Sequence, residues 1–203
     1  MSRLDELLLK ISEPRLSEEG RNRLFAELRA VAKNDRATFI NVVRALPFEN
    51  SNTLFEVYMA LAGEPGRWED FFLEELERLF NAAHTAADPV AVLTHLEAFA
   101  YLASKQEGSL QRRMRQRFQK ELDSPHVAIR HRAIWAIGDF LYASNYDVIN
   151  KLKQLLAEDR DWRVRYYAHT ALKSINKVPP EYRPSFLDKT RAIFMNPFKG
   201  LLK

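Results

Sequence analysis

Three stretches of this chain line up without a gap: HLEAFAYLA from His95, RHRAIWAIG from Arg130 and RYYAHTALK from Arg165, at a spacing of 35 residues. In that alignment Ala98, Ala133 and Ala168 coincide, as do Leu102, Ile137 and Leu172. A period of this length holds a pair of helices. One such pair cannot bury both of its faces, so it must stack on copies of itself to form a continuous core. Just upstream, Asp88, Asp123 and Asp159 recur at spacings of 35 and 36, where an aspartate can accept hydrogen bonds from the first exposed amides of the following helix. Pro89 and Pro125 suit the first turn of that helix, because they lack an amide that would go unpaired there.

The rest of the chain also reads as helix after helix. It has only six glycines, and no alternating pattern competes. Apolar stripes at helical spacing run through Trp68, Phe72, Leu76, Leu79 and Phe80, through Leu110, Met114, Phe118 and Leu122, and through Val148, Ile149, Leu152, Leu155 and Leu156. Nearer the N-terminus, Ser17-Glu18-Glu19 is expected to start a helix with Leu24, Leu28 and Val31. Asp35 starts one with Phe39, Val43 and Leu46, and Asn52 one with Phe55, Met59 and Ala62. After Ile175, Pro179-Pro180 breaks the helix, and Phe186, Thr190, Ile193 and Phe194 predict a final amphipathic helix that caps the last pair, followed by NPFKGLLK. With 203 residues and 46% hydrophobic content, the chain can bury a substantial core and is expected to fold throughout.

The inner helices carry a signature: Asp, then Arg six or seven residues later, then Ala-x-x-Ala followed by Leu or Ile. It reads Asp123, Arg130, Ala133, Ala136-Ile137 in one unit and Asp159, Arg165, Ala168, Ala171-Leu172 in the next. This resembles the HEAT family in its short bacterial form. The resemblance implies an all-α, right-handed α-solenoid of about five helix pairs. It would be one domain over residues 1–203, with degenerate repeats over 17–87, clear repeats over 88–176, and a capping helix and tail over 179–203. It also implies that Asp123, Arg130, Asp159 and Arg165 form a structural ladder of hydrogen bonds between repeats. His95 stands where the ladder arginine is expected, and upstream of Asp88 the pattern degrades. The Trp-x-x-Leu-Gly-x-x-Tyr string of tetratricopeptide repeats and the Thr-Pro-Leu-His of ankyrin repeats do not occur.

Little in the sequence offers chemistry. Without cysteine there are no disulfides, thiolate nucleophiles or thiolate metal ligands. His84, His95, His126, His131 and His169 lack the spacing of a helical zinc site, and His126 and His131 lie roughly 140° apart around a helix. Gly63 and Gly66 bracket a turn rather than a phosphate loop. Asp139, after Gly138, reads as structural or at the edge of a groove. No catalytic residue, cofactor or metal is expected. The apolar segment near the N-terminus is short and interrupted by Lys10, so no membrane span is expected and the cytoplasm is the default location.

A helical wheel of residues 125–142 places Ile129, Ala133, Ala136, Ile137 and Phe140 toward the core. His131, Trp135, Gly138 and Tyr142 fall on the opposite face. Advancing by one period gives Tyr166, Thr170, Lys173 and Lys177, and going back by one gives Leu96 and Ala100. In a solenoid this strip lines the concave surface, and aromatic side chains beside cations favour partner binding. Charge is uneven as well: residues 1–104 hold 11 lysines and arginines against 17 acids, whereas residues 105–203 hold 20 against 10. Arg112, Arg113, Arg115 and Arg117 form a second basic cluster.

The expected function is a non-enzymatic scaffold that binds a protein partner through His131, Trp135, Tyr142, Tyr166, Thr170, Lys173 and Lys177. The alternative is a nucleic-acid binder using the basic C-terminal half. It would resemble the alkylpurine DNA glycosylases, but their Trp-Asp-x-Val-Asp catalytic motif is missing. A resemblance to the phycobilisome-lyase class of HEAT-like proteins rests on the repeat alone.

Overall fold

In a computed structural model, residues 2–13, 16–47, 50–86, 89–105, 108–139, 146–183, 185–188 and 190 are described. Among them the chain is all-helical: α1 (Arg3–Ile11), α2 (Glu18–Asn34), α3 (Arg36–Ala45), α4 (Ser51–Ala62), α5 (Pro65–Thr85), α6 (Val90–Ser104), α7 (Ser109–Lys120), a 3-10 turn (Glu121–Asp123), α8 (Val127–Asp139), α9 (Tyr146–Glu158) and α10 (Trp162–Ser174). No helix among these residues is long and apolar enough to cross a membrane. The chain divides into two compact units, Met1–Met114 and Arg115–Lys203.

In the first unit the helix starts follow local capping chemistry. Ser2 and Asp5 form a reciprocal capping box on α1, Ser17 Oγ accepts from Gly20 N at 3.1 Å, and Asp35 Oδ1 accepts from Thr38 N at 3.0 Å. The core is aromatic, with Phe39, Tyr58, Trp68, Phe71, Phe80 and Phe99 all fully buried. On α4 the buried stripe is Leu54, Val57, Tyr58 and Leu61, whereas the expected Phe55, Met59 and Ala62 are only half-buried. The helix has apolar residues on most of its circumference, so a wheel leaves its rotation undetermined. Its core also holds a charged network. The fully buried Glu75 accepts from Tyr58 Oη at 3.0 Å, from Arg78 Nε at 2.9 Å and from Arg44 Nε at 3.4 Å. Burial, followed by the Glu75 charge, pushes the Tyr58 hydroxyl pKa well above its ordinary value, so it remains a donor.

Four contacts in this unit share a separation of 31 residues: Arg29 to the Ala60 carbonyl, Lys33 to Glu64, Arg36 to the Arg67 carbonyl and Arg44 to Glu75. Arg21 pairs with Glu56 and Arg29 with Glu64 at a separation of 35, one helical turn further along.

In the second unit α8, α9 and α10 enclose Ile129, Ala133, Ala136, Ile137, Leu152, Leu156, Val164, Ala168 and Leu172. Gly138 is buried, and a Cβ on it would meet the Ala171 Cβ at 2.7 Å. The wheel's assignment of Gly138 to the open face is thus corrected. α8 has a second packed arc, toward α10, and only glycine permits that approach. The capping expectation is corrected as well: Asp161 Oδ1 accepts from Arg163 N at 2.8 Å and caps α10, while Asp159 accepts from Asp161 N at 2.9 Å. α10 ends in a left-handed turn, with Asn176 at φ 55° and Lys177 N donating to Leu172 O at 2.9 Å. Phe186 is 81% exposed, so it does not pack as a cap residue. Asp88, Phe140, Tyr142, Ile193 and Phe194 lie outside the described residues.

Candidate functional site

Arg130, on the second turn of α8, donates through Nε and Nη2 to the two Asp159 oxygens at 2.9 and 3.1 Å, and through Nη1 to the Ser124 carbonyl at 2.8 Å. One period later Arg165 does the same, with Nη1 to the Asp159 carbonyl at 2.8 Å and Nη2 to both Asp188 oxygens at 3.0 Å. Each arginine thus ties the turn before its own helix to an aspartate further along the chain. The planar fork suits two-point pairing with a carboxylate. Asp123 sits outside this pattern: its side chain is 69% exposed and ion-pairs with Lys151. The matching arginine one period before Arg130 is His95, so the sequence supplies no fork for Asp123.

Beside this framework lies a cluster of rings and cations. His131 of α8 packs against Tyr167 of α10, with centroids 3.8 Å apart and the rings tilted by 46°, and Tyr167 meets Tyr166 edge-on at 5.3 Å. The Arg132 guanidinium lies 5.7 Å from the Trp135 ring centre. Trp135, Tyr166, Tyr167 and Thr170 are half-buried and Lys173 is exposed. Burial, reinforced by the Arg163 charge, pushes the His131 pKa down to about 4, so the ring is neutral at physiological pH. Burial likewise lowers the Arg132 pKa, opposed by Tyr167. On the far side of α10, His169 faces Tyr182 at 5.3 Å, and burial together with Lys173 lowers its pKa.

The carboxylates of Asp159 and Asp188, with side chains 5% and 13% exposed, are both held by guanidinium groups. Among the described residues no group of three or more histidine, aspartate or glutamate side chains is placed to hold a metal ion. Trp135, Tyr166, Thr170, Lys173 and Lys177 are carried by α8, α10 and the turn after it. His131 is held between those helices.

The model of the family described as HEAT repeats matches residues 116–188. That segment is made of HEAT repeats. No curated protein and no solved structure matches the chain. HEAT repeats commonly serve as protein-interaction scaffolds and are typically non-catalytic. The matched HEAT segment ends at Asp188, the acceptor for Arg165, which the sequence reading missed: it follows Arg165 by 23 residues, whereas Asp159 follows Arg130 by 29. Arg132 and Tyr167 were missed too. Arg132 lies three residues before Trp135, a spacing that puts both on one helix surface, and this was the available signal.

Proposed function

We propose that the chain is a non-enzymatic scaffold whose protein partner docks on the HEAT-repeat face formed by Trp135, Tyr166, Thr170, Lys173 and Lys177. The observation that carries this reading is the Arg132–Trp135 pair on α8 and the Tyr166–Tyr167 pair on α10, half-buried on two helices that pack together. Large, stiff rings beside cations bury area on binding at small entropic cost, which is why tryptophan, tyrosine and arginine dominate binding hot spots. His131 supports the face from behind by fixing Tyr167.

The nucleic-acid reading has less support. Tracking a phosphate backbone takes several available cations. Here five of the 20 lysines and arginines of residues 105–203 are already engaged in these pairs: Arg113 with Glu69, Arg117 with Glu121, Arg130 with Asp159, Arg163 with Asp161, and Arg165 with Asp188.

Affinity purification with the full chain tests the proposal. A partner recovered by the parent chain is expected to be reduced at least about tenfold by Trp135→Leu combined with Tyr166→Ala, as for loss of a hot spot of about 2 kcal/mol. Undiminished recovery contradicts the proposed face, and strongly salt-dependent retention on duplex DNA would transfer support to the alternative.

A further inference from the structure

We propose that the occupant of the α8–α10 face is an acidic peptide segment bearing one large apolar side chain, an inference that rests on the scaffold reading above. Residues 115–203 hold 17 lysines and arginines against 9 acids. Five of these cations, Arg117, Arg130, Lys151, Arg163 and Arg165, are tied to carboxylates within the same unit. Lys173 and Lys177 are both exposed, and neither has an acidic partner among the described residues.

Their placement is set by the end of α10. Lys173 occupies the last turn, and the left-handed residue Asn176 turns the chain so that the Lys177 amide returns to the Leu172 carbonyl at 2.9 Å. Both lysines therefore emerge at one end of the helix. Tyr166 and Thr170 lie along α10 toward its other end, and the Arg132–Trp135 pair sits on the adjoining α8. Lysine is a compact point charge on a flexible stem that pairs with carboxylates without the two-point geometry arginine provides, and Arg130, Arg163 and Arg165 are already paired with carboxylates. Two exposed lysines at the end of the helix that carries Tyr166 match a short peptide with an acidic stretch and an apolar anchor spaced along it. A nucleic-acid strand would need a longer row of cations. Lysines also counter the negative end of a helix dipole, and that role alone is the outcome the test must separate from binding.

The experiment uses the full chain, immobilised, to select from a random dodecamer display library. Enriched peptides are expected to carry excess Asp and Glu plus an aromatic or large aliphatic residue. The best one, labelled and titrated with soluble chain, is expected to bind about tenfold more weakly to Lys173→Glu/Lys177→Glu at low salt, with the gap closing as ionic strength rises. Both substitutions are at exposed positions, and thermal melting checks that the fold persists. Enrichment without acidic excess, no enrichment at all, or unchanged affinity on charge reversal overturns the proposal and reduces the lysines to helix-end compensation. If Trp135→Leu weakens binding while charge reversal does not, the face stands and the acidic class falls. If neither substitution has an effect, the scaffold reading of this face fails as well. Tighter binding of a thirty-base-pair duplex than of any selected peptide, abolished by the charge reversal, would replace the peptide with nucleic acid.

Discussion

Gly138 separates packing from propensity at a single atom. Its missing Cβ lets α8 approach Ala171, so Gly138→Ala is expected to cost about 1–3 kcal/mol despite the better helix propensity of alanine. Gly66 has nothing within 4 Å of the same position, and Gly66→Ala should leave the melting temperature unchanged or raise it. Melting the two variants side by side decides the point, and equal shifts would contradict the close contact. His131 gives the pH counterpart. Below the ordinary histidine value of 6.5 the unfolded chain takes up a proton that the folded chain refuses until about 4. The stability linked to His131 is therefore complete above that range and lost as pH falls through it, by on the order of 3 kcal/mol. His131→Phe keeps a ring on Tyr167 and removes the titration, so its stability profile from pH 7 to 4 should be flatter than that of the parent chain. Superimposable profiles would mean that the histidine is not sheltered.

At the scale of helices and turns, the ladder and the caps divide the aspartates differently from their spacing. Arg130 and Asp159 are 15% and 5% exposed, so Asp159→Ala strands a largely buried guanidinium and should cost about 3 kcal/mol, while Asp123→Ala, at an exposed pair, should cost less than about 1 kcal/mol. Chemical denaturation of both variants measures the difference. The existence of the helices, their caps at Ser17 and Asp35, and the Ala-x-x-Ala core of α8 and α10 were legible because they depend on local chemistry and on the 35-residue period. The rotation of α4 was not, since apolar residues surround most of it. The contacts of the first unit that Arg29, Lys33, Arg36 and Arg44 make reach carbonyls as well as carboxylates, and such pairings leave no repeated motif to align.

For the molecule as a whole, residues 1–114 hold 14 lysines and arginines against 18 acids, and residues 115–203 hold 17 against 9. The charge imbalance was visible from the sequence, but the internal engagement of most of the ladder and α7 arginines was not, because ion pairing depends on which turns the stacked helices bring together. Of the candidate face, the sequence supplied Trp135, Tyr166, Thr170, Lys173 and Lys177, while Arg132 and Tyr167 emerged only once α8 and α10 were seen packed side by side. The central claim is that this face receives a protein partner. It is tested most directly by installing a photo-reactive phenylalanine at Thr170 in one chain and at the exposed Glu158 of α9 in another, then irradiating each with the partner recovered by affinity purification. The account predicts a cross-link from position 170 into an acidic segment of the partner and none from position 158. Equal cross-linking from the two positions, or cross-linking from 158 alone, would contradict it.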